Sequence, residues 1–203
     1  MKFERFVIHV HHSLIAIALL SICPLPAMAQ TNHSHTLAMQ GNQSTVDQQS
    51  QASALLQIVR EATEKFKDVA EAEKEGYVLT FGCVSGPDQG AMGLHYVNSY
   101  LLDKGEVNPR KPQIVIYEPT PNGKPKLIGA DYLVFADAWD AQHPNEPPEL
   151  MGQLFHFFET PNRFALPAFY TLHVWAWKEN PNGAFVNWHP DVSCQSFVGQ
   201  TTQ

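Results

Sequence analysis

"QIVIYEPTPNGKPKLIGADYLVF", Gln113 to Phe135, decides the fold. Two apolar runs rich in β-branched and aromatic residues, Gln113–Glu118 and Lys126–Phe135, flank a polar break carrying Pro121, Asn122 and Gly123. Proline presets φ, and Asn-Gly tolerates the positive φ of a tight reversal, so the break reads as a β-hairpin turn. The same signature recurs on both sides of it. Tyr77–Val84, Met92–Tyr100, Gln153–Phe158 and Phe169–Lys178 are rich in Val, Ile, Tyr, Phe and Trp, with Pro or Gly clusters between them. "KENPNGAF" repeats the hairpin chemistry after the last of these and predicts a return along Ala184–Trp188. The proline-rich segment Asp137–Leu150 reads as a long surface loop.

One segment has a different period. From Ala52 to Glu75, Leu55, Leu56, Val59, Ala62, Phe66, Val69 and Ala70 recur at steps of three and four, charged residues fill the other face, and Gly76 is the stop. No repeat and no strand–helix alternation is present. The pattern therefore predicts an α+β fold: one N-terminal amphipathic helix packed on a mainly antiparallel sheet of about six or seven strands, in a single domain over residues 52–203.

The first residues read as a secretory signal peptide over residues 1–29. Lys2 and Arg5 open it, "LIAIALLSI" is its apolar run, and Ala27-Met28-Ala29 suits cleavage before Gln30. The run is about half the ~20 residues that span a bilayer, which predicts no stable membrane anchor. Cys23 invites a lipoprotein reading, but Ile22 stands where a small residue is expected. Residues 30–51 are polar and rich in Gln, Ser, Asn and Thr, which predicts a flexible, disordered leader. The expected localisation is exported, periplasmic or secreted.

Cleavage leaves Cys83 and Cys194. Two cysteines in an exported chain predict one disulfide, with two buried free thiols as the alternative. It also leaves 11 basic and 19 acidic residues, a net charge of about −8 without a basic cluster. Nucleic acid is excluded as a natural partner, and an anionic membrane surface is equally unattractive.

Familiar catalytic signatures are absent: there is no H-E-x-x-H, G-x-S-x-G, Walker loop or C-x-x-C-H. The histidines are what remains. His95, His156, His173 and His189 lie in or beside strand-like sequence. His173 shares a strand face with Phe169, Thr171, Trp175 and Trp177, and Glu118 closes an apolar run on the face of Ile114 and Ile116. His95, Glu118 and His173 on neighbouring strands would make an open divalent-metal site, for zinc or iron, with His156 or His189 as a fourth ligand. The competing readings are a metal-free polar pocket and hydrogen-bonded core histidines.

The tryptophans carry a second possibility. Trp139, Trp175 and Trp188, with Tyr96 and Asn98, are candidate small-molecule ligand contacts, a sugar or an aromatic compound. Trp175 and Trp177 share a strand face with Phe169, which favours a place in the helix–sheet core, whereas Trp139 and Trp188 lie in loop-like sequence and are the better pocket candidates. Glu118 paired with Asp131 or Glu159 as an acid and base is the non-metal enzyme alternative.

"GLHYVNSYLLDKGEV", "IVIYEPTPNGKPKLIGADYLVF", "NRFALPAFYTLHVWAWKENPNGAF" and "HPDVSC" together resemble a family of uncharacterised exported bacterial proteins. The likeness spans roughly residues 60–194. It carries over Gly93, His95, Tyr96, Asn98, Glu118, His173, Trp175, Asn180, Pro181, Gly183 and Cys194; His189 stands where the family pattern has Asn. The resemblance implies a bacterial, exported protein and brings no reaction with it. The functional expectation is thus an exported protein binding a small ligand or metal ion around His95, Glu118 and His173. The alternatives are a metal-dependent hydrolase or oxygenase on the same residues, or a structural protein without a site.

Overall fold

A computed structural model describes residues 33–203. The signal-peptide reading of residues 1–29 lies outside the described residues. Helix α1 (His33–Thr63) leads into a 3-10 turn (Glu64–Lys67) and helix α2 (Val69–Lys74). The sheet strands are β1 (Tyr77–Gly86), β2 (Gly90–Asn98), β3 (Ile114–Glu118), β4 (Lys126–Phe135), β7 (His156–Phe158), β8 (Phe169–Val174) and β9 (Thr201–Thr202). Helix α3 (Ser99–Lys104) follows β2, while α4 (Ala136–Gln142) and a small ribbon of β5 (Glu149–Leu150) and β6 (Gln153–Leu154) follow β4. The seven-stranded sheet has the order β7-β8-β4-β3-β2-β1-β9. Every neighbouring pair is antiparallel except β1 with β9, which is parallel. The α+β expectation holds. Among the described residues no helix is long and apolar enough to cross a membrane.

The sheet curls and has two faces. Leu55 and Val59 of α1 pack with Ala130, Tyr132, Leu172 and Val174, and Phe66 packs with Tyr77, Leu94, Tyr96, Val115 and Tyr117. These residues alternate along their strands, so they form the helix-covered face. Burying one such Leu or Phe contributes roughly 1.5–3 kcal/mol. The opposite face carries Ala91, Val97, Ile114, Ile116, Leu133, Phe169 and Trp175, and α1 contributes nothing to that cluster, to which the short helix α3 adds Leu102 at one edge. Phe158 of β7 and the connecting segments that carry Phe164, Leu166 and Val192 cover it instead.

Two irregularities shape this second face. The β1–β2 register slips between Leu79 and Cys83, and Phe81, inside the slip, joins the second face while Cys83 stays on the first. In β4 an extra residue, Ile128, lies between Leu127 and Gly129, the partners of Tyr117 and Ile116. Beside it β8 approaches closely, and a Cβ on Gly129 would lie 2.6 Å from the Val174 carbonyl oxygen.

Cys83 and Cys194 form the expected disulfide, closing 111 positions of sequence. It holds the C-terminal segment across β1, where β9 pairs with Cys83 and Val84.

Several expectations need correction. The helical run is not continuous: Asp68 leaves helical geometry and caps α2 by accepting from the Ala70 amide at 3.1 Å. Helix α1 also begins at His33, inside the leader read as disordered. That leader is short of apolar anchors but holds no helix breaker except Gly41, so a solvated extension is tolerated; its residues 45–51 are exposed. The segment read as a surface loop carries α4 and β5. Strand β8 stops at Val174, because the Ala176 amide turns back to the Val174 carbonyl at 2.8 Å. Trp175 and Trp177 therefore do not share a face. Trp175 joins the second face, whereas Trp177 donates to Thr63 Oγ1 at 2.9 Å on the helix side. The predicted return strand at Ala184–Trp188 does not form. Its Ala184 carbonyl accepts from Trp175 at 3.0 Å, and the chain then bridges β2 at His189 and Ala91.

Candidate metal centre

The register of the sheet assembles the site on the face away from the helix. Asp131 of β4 pairs with His173 of β8 on one side and with Ile114 of β3 on the other, while His95 of β2 pairs with Ile116. Strand alternation puts His95, Asp131 and His173 on one surface. One ligand atom from each can be chosen such that all lie within 4.8 Å of one another. The three side chains are almost fully buried.

The hydrogen bonds around them are unequal. His95 Nδ1 lies 3.1 Å from the Gly93 carbonyl oxygen. A carbonyl only accepts, so Nδ1 carries the proton and the lone pair is on Nε2. Thr171 donates its hydroxyl to Asp131 Oδ1 at 2.5 Å, which orients the carboxylate. His173 has nothing comparable. Its Nδ1 is 3.6 Å from Asp131 Oδ1, and neither ring nitrogen has a hydrogen-bond partner. Asn187 faces the same ring, but their contact misses hydrogen-bond geometry and Asn187 Oδ1 is also unpaired. An unpaired buried polar atom costs about 1–3 kcal/mol.

Beside the cluster is a cavity of about 20 Å³. Its polar wall is His95, Asp131, Thr171 and His173; its opposite wall includes Phe81, Phe158, Phe164 and Leu166. A space of this size holds a single water or ion.

Burial sets the charges. It lowers the pKa of His95 to about 4, helped by neighbouring His173 and opposed by Asp131 and the Gly93 bond. It lowers His173 to about 3, reinforced by His156. It raises Asp131 to about 6, against the Thr171 hydrogen bond and the pull of His95. At neutral pH both imidazoles are uncharged and the carboxylate is largely ionised, the protonation state in which all three are metal ligands.

The sequence reading placed Glu118 in this set, and the structure puts Asp131 there. Glu118 lies at the far end of β3, two residues beyond Ile116, where both its carboxylate oxygens bind Lys178 Nζ at 2.8 and 2.9 Å. The signal for Asp131 was an acidic residue inside the apolar run "LIGADYLVF", on the face of Leu133. His189 is no ligand: Nδ1 accepts from the Asp191 amide at 3.1 Å, and Nε2 donates to the Glu179 carbonyl at 2.9 Å. His156 lies at the exposed rim and Glu159 in an exposed loop.

The candidate ligand contacts disperse. Tyr96 is on the helix-covered face, edge-on to Tyr117 at 5.0 Å. Asn98 caps α3 by accepting from Leu101 at 3.1 Å and donates to the Glu75 carbonyl at 3.0 Å. Trp139 stacks on His143 at 4.0 Å and lines a separate open cleft of about 650 Å³ between α3 and α4. Trp188 lies under Arg163, 5.1 Å from its ring centre. Only Trp175 adjoins the cluster, 6.0 Å from the His173 ring and held by its indole N–H on the Val186 carbonyl at 2.6 Å.

No family model matches the chain, and no curated protein or solved structure matches it either.

Proposed function

We propose that this is an exported protein whose buried His95–Asp131–His173 cluster binds one divalent transition-metal ion. The observation that carries the reading is His173: an imidazole with two unpaired nitrogens, buried beside a carboxylate and a second imidazole at an ion-sized cavity. Two neutral imidazoles and a carboxylate suit zinc or ferrous iron. Ligand atoms around a tetrahedral zinc with bonds of about 2.1 Å sit roughly 3.4 Å apart, so the side chains close in on binding. Thr171 and the Gly93 carbonyl would act as the outer partners that fix carboxylate orientation and imidazole tautomer. The signal-like N-terminus and the Cys83–Cys194 disulfide support export to an oxidising compartment. The resemblance to exported bacterial proteins agrees with this.

Metal binding is favoured over hydrolase or oxygenase chemistry because the cavity has no room for an organic substrate. The test is titration of chelator-treated protein with cobalt(II) or zinc(II). One equivalent is expected in the parent and in Glu118→Gln, and none in His95→Ala, Asp131→Ala or His173→Ala. No stoichiometric uptake by the parent sinks the proposal; loss in Glu118→Gln with retention in Asp131→Ala sinks the ligand set.

A further inference from the structure

A polar connection runs from the buried cluster toward the surface through His156 and Asn187. In the β7–β8 ladder His156 pairs with Thr171, whose hydroxyl binds Asp131. Directly paired residues project on the same side of a sheet, so His156 belongs to the metal-cluster face, one strand outward. His173 is its diagonal neighbour on that face, at the ~7–8 Å spacing of such pairs. Unlike the cluster, His156 is exposed. Asn187 Nδ2 lies 3.4 Å from His156 Nδ1, and Asn187 Oδ1 is buried and unpaired on the side of His173.

Resting on the metal-site reading above, we infer that His156 is the port at which the ion leaves water, and that Asn187 hands it to His173. The donors form a sequence: an exposed imidazole, an amide oxygen, a buried imidazole, a carboxylate and a second imidazole. A cation moving along it exchanges one ligand for another. The other wall, Phe81, Phe158, Phe164 and Leu166, offers no ligand atom to replace lost water. Stripping an ion's hydration without replacement is costly enough to close that route.

A port and a permanent fourth ligand behave differently. A port speeds entry and exit alike, so its loss lowers both rates and leaves Kd unchanged. A ligand holds the bound ion, so its loss raises the exit rate and weakens Kd. The experiment is stopped-flow loading of the chelator-treated full chain with cobalt(II), followed by chelator-driven release, in the parent, His156→Ala, Asn187→Ala and Phe164→Ala. Loading and release about ten-fold slower in His156→Ala and Asn187→Ala, with one equivalent still bound, is the expected result. Unchanged rates in His156→Ala overturn the port, as does faster loading in Phe164→Ala without slowing in His156→Ala. Weaker Kd from faster release in His156→Ala makes His156 a ligand and also overturns it. A parent that takes up no cobalt or zinc overturns the underlying metal site, a separate result from any of these.

Discussion

Replacing His173 with leucine is expected to stabilise the metal-free protein while abolishing the proposed metal binding. The ring is 3 % exposed and its two nitrogens have no hydrogen-bond partner. At about 1–3 kcal/mol for each unpaired buried atom, the imidazole burdens the fold by roughly 2–6 kcal/mol. Leucine removes both polar atoms. Leucine is close to histidine in volume, so the change of shape costs about 1 kcal/mol. Asp131 keeps its hydrogen bond from Thr171, and with a pKa of about 6 it takes up a proton readily once its neighbour is gone. The net expectation is a gain of roughly 2 kcal/mol, or about 4–8 °C in Tm for a chain of this size. The assay is urea and thermal unfolding at pH 7, first with chelator and then with metal at about a hundred times Kd. Metal adds about 2.7 kcal/mol to the parent and nothing to the variant, so their difference narrows or reverses. A variant less stable than the parent by about 1 kcal/mol or more in chelator would refute the reasoning, because His173 would then be making bonds worth keeping.

The pH dependence of the metal-free protein has a definite sign. His95 and His173 are held at about 4 and about 3, so below the ~6.5 of a free imidazole the unfolded chain takes up protons that the folded one refuses, and stability is lost as the pH drops. Asp131, raised to about 6, works the other way as the folded protein takes up its proton first. Two groups against one leave a loss of about 1.4 kcal/mol per pH unit between pH 6 and 4, and His173→Leu should remove about that much slope; an identical slope in parent and variant contradicts neutral burial. Replacing both Cys83 and Cys194 with serine frees a 111-position loop and is expected to lower stability by about 2–4 kcal/mol, read as a drop in urea midpoint; no drop means β9 is held without the bridge. Gly93 has φ +94°, and an added Cβ would lie 2.6 Å from the Tyr117 carbonyl oxygen. Gly93→Ala is thus expected to cost more than about 1 kcal/mol and to weaken metal binding by displacing the carbonyl that holds His95, whereas a parent-like titration would show that the tautomer lock is dispensable.

Local chemistry was enough for much of this protein. The 3.6 period of Leu55, Val59 and Phe66, the β-branched runs and the Pro-Asn-Gly turn each act within a few residues, so the helix, most strands and the central hairpin were legible in the sequence. With Cys23 inside the stretch read as a signal peptide, Cys83 and Cys194 had only one pairing to make. His95 and His173 stood out as polar residues on apolar strand faces, and the structure brings their rings within 5.7 Å. Which carboxylate joins them was not local. It depends on strand order and register across β2, β3, β4 and β8, where a shift of two residues exchanges Asp131 for Glu118 as the acid nearest the histidines. The turn after Val174 was equally hidden, because it depends on β8 crossing closely over Gly129, a contact between segments far apart in the chain. Composition and period determine what each segment can become; pairing energies summed over the whole sheet decide which side chains meet.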